Sequence, residues 1–317
     1  MHSPPPRKAA LVVNTKSRKG RLHMKRAVRE LRRQGVMLTA VEGVKNPKLM
    51  SAALKRAVAT SVPLVIVGGG DGSVMTAVEH LSGTGSALCV LPLGTANSFA
   101  RSLGIPLDIE GATKVVALGK VRRVDLGTID GRPYPGCASI GLAPEIAQTV
   151  PHGLKAWAGR PGYLLWAARK LAEFRAFQLT IEQGANRETF DAVEVRIANG
   201  PFHGGVEVVE DAELNSGRIV VQAVVGQKPR HLLLNWAAHL IGAHRRWGQV
   251  RQFTGTSMRI SSEPAMPISI DGEVLARTPV DVGVKPGALL VMAPVDTGRG
   301  PDGAIETGSG MQAAGAS

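Results

Sequence analysis

Apolar and polar positions run in blocks along the first 120 residues, and the repeat changes from one block to the next. Residues 9–13 form a short continuous apolar run ending at Asn14, the pattern of a strand buried on both faces. Met24, Ala27, Val28 and Leu31 then share one helical stripe, with Lys25, Arg26, Arg29, Arg32 and Arg33 around the rest and Gly35 as the stop. A second strand is predicted over 36–41. A helix over 47–59 follows, with Met50, Ala53, Leu54, Ala57 and Val58 at helical spacing. Two more buried strands, 64–67 and 87–91, each empty into a glycine-rich turn that opens a helix. The first turn reads Gly68-Gly69-Gly70-Asp71-Gly72-Ser73 and the second Pro92-Leu93-Gly94-Thr95-Ala96-Asn97-Ser98. Such strand–helix alternation predicts a parallel sheet covered by helices, with ligands outside the carboxyl ends of its strands.

From Val121 the pattern shortens into β-rich segments at 121–129, 134–140, 177–182, 192–198, 217–225, 257–261, 268–270 and 288–292. Turn residues separate them, as expected of a sandwich or barrel-like unit. Helical segments over 161–174 and 229–247 interrupt the series. The expected architecture is α/β followed by β. A parallel-sheet nucleotide-binding domain covers residues 9–122, a β-rich sandwich domain covers 123–294, and disordered ends lie at 1–8 and 295–317.

Charge narrows the partners. Lys+Arg 38 against Asp+Glu 25 gives +13, which favours a polyanionic partner. An aromatic content of 4% argues against a stacking platform for nucleic acid, so phosphate or anionic lipid is expected instead. Cys89 and Cys137 sit inside apolar stretches, as small buried hydrophobes do, and show no metal-ligand spacing. No apolar h-region opens the chain and no run of about 18 apolar residues occurs. The expected location is cytoplasmic, with peripheral contact at an anionic inner membrane surface.

The glycine turns carry the chemistry. Without Cβ atoms the backbone can approach an anion closely, and free N–H groups at the helix start face its oxygens. The first turn lacks the Lys-Ser/Thr of a P-loop, and Ser73 replaces the third glycine of a dinucleotide fingerprint. A nucleotide-using enzyme of another kind is implied.

Asn14 after the first strand, Gly69-Gly70-Asp71-Gly72-Ser73, Leu91-Pro92-Leu93-Gly94-Thr95-Ala96-Asn97, and Asp271-Gly272-Glu273 occur in the order that resembles the bacterial diacylglycerol-kinase-like lipid kinases. That family shares its catalytic fold with sphingosine and ceramide kinases. The resemblance spans about residues 9–293. It implies ATP and Mg²⁺ in a cleft between the two domains and γ-phosphoryl transfer to a lipid hydroxyl. By the same resemblance, Asn14, Thr15, Lys16, Ser17, Arg18, Thr39, Gly69, Gly70, Asp71, Gly72, Ser73, Gly94, Thr95 and Asn97 hold ATP. Glu273 accepts the proton, with Asp71 and Asp271 beside the reaction, Asp71 meeting the metal through water, and Asp125 contacting the acceptor. A lipid alcohol is a weak nucleophile until a carboxylate takes its proton, so these residue types suit the chemistry.

Four departures cluster around the metal and nucleotide. Ser98 stands where the family has Asp, Asn215-Ser216-Gly217 replaces Asp-Asp-Gly, Met75-Thr76 replaces Asn-Glu, and Thr15 replaces Pro. A structural Mg²⁺ at 215–217 is therefore expected to be weak or absent. Two other readings stay open: an NAD kinase-like enzyme sharing the Gly-Gly-Asp-Gly turn, and a non-catalytic nucleotide-sensing or membrane-surface protein. Lys16, Arg18, Lys19, Arg21, Lys25 and Arg26 either steer nucleotide and lipid or form a solvated face. Trp157, Trp166, Trp236 and Trp247, each near cations, are either interfacial or core.

Overall fold

The structure, a computed structural model, describes residues 8–16, 18–141, 175–227, 250–270 and 273–295. Its first half runs β1 (Lys8–Asn14), α1 (Arg18–Arg33), β2 (Met37–Val44), a 3-10 turn (Pro47–Leu49), α2 (Met50–Ala59), β3 (Leu64–Gly69), α3 (Asp71–Leu81), β4 (Ala87–Pro92), α4 (Ser98–Ser102) and α5 (Ile109–Leu118). The four strands pair in parallel in the order β4-β3-β1-β2. Every residue of β3 and β4 is buried, which is what a continuous apolar run means in a sheet covered on both faces. Edge strand β2 is mostly exposed and runs on to Val44, beyond the expected end at 41, because it pairs with β1 all the way to Asn14. The helix expected over 47–59 starts as the 3-10 turn, where the Asn46 side chain accepts from Lys48 N.

The second half comprises β5 (Lys120–Ile129), β6 (Arg132–Tyr134), β7 (Cys137–Gly141), β8 (Phe177–Gln183), β9 (Asn186–Ala198), β10 (Phe202–His203), β11 (Val206–Glu207), β12 (Ile219–Val225), β13 (Val250–Gly255), β14 (Ser257–Glu263), β15 (Pro267–Ile270), β16 (Glu273–Arg277) and β17 (Val280–Ala293). The segment expected as one strand over 134–140 is two, β6 and β7, interrupted at Pro135-Gly136. Strands β10, β11, β13 and β16 were not expected, since none shows a run of apolar alternation long enough to stand out. The helices expected at 161–174 and 229–247, the four tryptophans within 157–247, and most of the expected tail lie outside the described residues.

One long strand joins the halves. The first part of β17 pairs antiparallel with β14, residues Val282–Lys285 and Leu289–Ala293 pair antiparallel with β5, and Val291 meets Leu88 of β4 in parallel. Through these pairings a single sheet runs β16-β15-β7-β9-β8-β14-β17-β4-β3-β1-β2 among the described residues. A boundary at 122/123 therefore falls inside β5. Val124, Leu126, Leu289 and Val291 belong to the core of the α/β half, while Ile129, Val280 and Val282 belong to the core of the β-rich half. Met75 of α3 packs into that second core, so the helix behind the first glycine turn touches both halves. Among the described residues no helix is long and apolar enough to cross a membrane.

Candidate functional site: a cleft at the strand ends

Because β1, β3 and β4 are adjacent and parallel, Asn14 and both glycine turns emerge side by side at the carboxyl edge of the sheet. The turns touch. A Cβ added to Gly94 would stand 2.5 Å from Gly70 Cα, and one added to Gly69 would stand 2.4 Å from Ser73 Oγ. At Gly94 backbone lies against backbone, so no side chain is admitted there, whereas at Gly69 the space is taken by the Ser73 side chain.

Three side chains hold the turns in place. Asn97, in the left-handed region at φ +50, accepts from Gly94 N at 2.9 Å through Oδ1 and donates Nδ2 to Gly94 O at 3.0 Å. Asp71, first residue of α3, accepts from Phe99 N at 3.3 Å, so the acid of one turn caps the helix that follows the other. Ser98 accepts from Gly205 N at 3.2 Å, which ties the second turn to the β10–β11 ribbon.

Two cavities open on this edge. One, of about 320 Å³, is lined by Asn14, Gly70, Gly72, Ser73, Met75, Thr76, Glu79 and Arg132, and across from them by Ile270, Glu273 and Leu275. The other, of about 490 Å³, is lined by Asn14, Lys16, Gly20, His23, Gly69, Gly70, Leu93 and Gly94. Asn14 and Gly70 belong to both, so the two adjoin at the first turn. Asn14 Oδ1 accepts from Lys16 N at 3.1 Å, folding the β1–α1 link over the larger one. Glu273 reaches the smaller cavity as the first residue of β16, paired with Ile270 across a hairpin. Asp271 and Ser17 lie outside the described residues, as does the side chain of Arg18.

Other expected residues are placed elsewhere. Thr15 is buried, its N bonded to Val44 O at 2.8 Å and its methyl near Gly43. Thr39 sits mid-strand on β2, donating to Ala9 O at 3.2 Å, near the end of β1 opposite the turns. It lies about five residues, or roughly 16 Å, back from the carboxyl edge, since β2 extends further than its apolar pattern suggests. Thr95 is exposed at the tip of the second turn and lines neither cavity. Asp125 is buried away from both cavities, with Oδ1 accepting from Gly287 N at 2.8 Å and Oδ2 from Gly217 N at 2.6 Å. Its carboxylate gathers loops of the β-rich half instead of facing the cleft. The neighbouring Ser216 closes its own turn, donating to Glu213 O at 3.1 Å and accepting from Arg218 N at 3.3 Å.

Sequence reading missed three side chains near the site. Glu79 and Arg132 meet as an ion pair in the wall of the smaller cavity. His203, at the tip of the β10–β11 ribbon, is held below the ordinary histidine value of 6.5, first by burial and then by the Arg196 charge, while Glu194, the Cys137 backbone and Asp71 push the other way. Behind it Arg196 and Glu194 form a buried pair at 3.1 Å, with Gln222 accepting from Arg196 at 3.3 Å. Only the Gly204-Gly205 pair hints at the ribbon in the sequence, because its strands are two residues each and Asp71 and Cys137, which act on His203, are distant along the chain.

No group of three or more His, Cys, Asp or Glu side chains that could cage a metal occurs among the described residues. Mg²⁺ at a nucleotide needs no cage, since one or two carboxylates and phosphate oxygens suffice alongside water. Asp71 fits that role, with one oxygen given to Phe99 N and the other left for a metal-bound water.

Residues 8–129 match the diacylglycerol kinase catalytic domain, and residues 136–293 match the YegS C-terminal NAD kinase beta sandwich-like domain. A protein of Yersinia enterocolitica named probable lipid kinase YegS-like is 27% identical over 294 residues, covering 90% of this chain and 96% of that protein. An uncharacterized protein of Synechocystis is 27% identical over 238 residues, which is 73% of this chain and 55% of that protein. The solved structure of a diacylglycerol kinase from Bacillus anthracis matches with a TM-score of 0.69 at 20% identity, over 92% of this chain and 98% of that one. At such identity this likeness establishes the fold.

Proposed function

Since the chain belongs to the bacterial diacylglycerol-kinase-like lipid kinase family, we propose that it transfers the γ-phosphoryl group of ATP, with Mg²⁺, to a hydroxyl of a diacylglycerol-like or sphingoid lipid. The observation that carries this reading is the smaller cavity, where the first glycine turn and Glu273, two hundred positions apart, line one space. Phosphates laid on the Gly69–Ser73 turn meet the amides that open α3, and Asn14 and Lys16 close the other side. Asn97 and Gly94 keep the second turn in place beneath them. Asp71 would hold a Mg²⁺ ion through water, and the ion would supply charge neutralisation to the phosphates when bound.

Glu273 is the proton acceptor. As the lipid oxygen bonds to the γ-phosphorus and the bond to the β-phosphate oxygen breaks, the hydroxyl proton passes to its carboxylate and ADP leaves. Asp271 is assigned a place beside this step. Asp125, whose two oxygens accept from backbone amides, acts on the acceptor site only by fixing the loops around it. The acceptor is drawn from an anionic membrane at its inner surface, a location that the excess of basic residues supports.

The test is phosphate transfer from labelled ATP to a bacterial lipid extract, with the product identified by mass. Lipid phosphorylation lost in Glu273→Gln and Asp71→Asn is the expected result. A second reading draws on the likeness of residues 136–293 to an NAD kinase sandwich. NADP formation from NAD and ATP, without a lipid product, would put that reading first.

A further inference from the structure

Resting on the kinase reading, we propose that Arg132 is a phosphate-binding residue of the cleft, held in reserve by Glu79 until nucleotide phosphates displace that carboxylate. Four observations lead to it.

The arginine is held from a fixed point. Arg132 follows a tight turn in which Asp130 (φ +47) and Gly131 (φ +78) adopt left-handed conformations. That turn is pinned to β17, because Asp130 N donates to Asp281 O at 2.8 Å, the Asp130 side chain accepts from Asp281 N at 2.9 Å, and Lys285 Nζ donates to Gly131 O at 3.3 Å. The base of the side chain is thus set, while its guanidinium reaches across to α3.

It also reaches the right face. Gly72, Thr76 and Glu79 recur at helical spacing along α3, so the face that begins at the glycine turn ends at the partner of Arg132. All of them line the smaller cavity with Glu273.

The pairing itself is loose. Arg132 Nε at 2.9 Å and Nη2 at 2.6 Å both address Glu79 Oε1, so the two carboxylate oxygens are not matched by a parallel fork. The side chains are 48% and 32% exposed, and a solvated pair of this kind adds little to fold stability.

Charge supplies the driving force. Among the described residues lining this cavity, Glu79 and Glu273 are anionic and Arg132 alone is a cation. A triphosphate entering there needs positive charge, and a guanidinium prefers the multiple oxygens of a phosphate to one half-exposed carboxylate. Lys16 serves the adjoining cavity, so the two cations bracket the first glycine turn.

A structural strap and a reserve cation differ in sign. Calorimetry of Mg·ATP binding to the full chain and to Arg132→Ala, Arg132→Lys and Glu79→Gln separates them. We expect Arg132→Ala to weaken ATP at least tenfold, Arg132→Lys to lie between it and the wild type, and Glu79→Gln to tighten ATP several-fold. Adenosine should bind all four alike. Unchanged ATP affinity in Arg132→Ala would overturn the inference, and so would weakening in both Arg132→Ala and Glu79→Gln. If the wild-type chain binds ATP but phosphorylates no lipid, the kinase reading falls while the opposed signs still decide the role of Arg132. If it binds no ATP, both fall.

Discussion

Gly94 lies against Gly70 so closely that a β-carbon on Gly94 would come within 2.5 Å of the Gly70 Cα. The two glycine turns are therefore one object, and its shape depends on the absence of side chains at a point where two backbones cross.

Gly94→Ala must push the turns apart, because the atom it meets is main chain and cannot swing aside. A stability loss of about 1–3 kcal/mol is expected, as for overpacking elsewhere, with loss of nucleotide binding. At Gly72 an added Cβ meets nothing within 4 Å, so Gly72→Ala should fold at least as well as the parent. Urea midpoints for the two variants check the contrast, and equal destabilisation would argue against the contact.

Asp71 and Glu273 differ in what else they do. Asp71→Ala removes the cap on Phe99 N and should cost about 1 kcal/mol of stability in addition to activity. Glu273 is exposed, so Glu273→Gln should change stability by less than about 0.5 kcal/mol. Its rate of phosphoryl transfer should still fall by about 10²–10⁴, the usual worth of a general base. Thermal melts and initial rates on the same preparations test both.

Asp125 accepts from two backbone amides in a buried setting, and Asp125→Ala leaves Gly217 N and Gly287 N without that acceptor. We expect a loss of about 2–4 kcal/mol in urea unfolding. A normal midpoint accompanied by a raised KM for lipid would instead make Asp125 a direct contact to the acceptor.

His203 gives stability a pH dependence. Its folded pKa lies below 6.5, so the folded state holds the neutral ring where the unfolded chain takes up a proton. The sign follows: the contribution is complete above about pH 6.5 and is lost as pH falls below it. Unfolding midpoints measured from pH 7.5 down to pH 5 should decline in the parent, and the decline should flatten in His203→Gln.

The legible part of this chain is the part governed by local order. Residues 64–67 and 87–91 read as buried strands because both faces of a parallel sheet are covered, leaving no polar alternation. The turns after them read as anion sites because glycine runs cost entropy that an ordinary connection need not spend. Glu273 was reachable only through a motif, since β16 is short and half-exposed and has no period of its own.

What the amino-acid order determined, then, was the strands of the α/β half, the two turns and their chemistry. Tertiary structure alone decided that β17 would knit both halves into one sheet, that Thr39 and Asp125 would lie away from the cavities, and that Arg132 would meet Glu79 over the cleft. The physical reason is separation along the chain. Burial and backbone pairing over a few residues leave a periodic trace in the sequence, whereas a contact between residues fifty or more positions apart depends on where whole strands are laid, which no local pattern encodes.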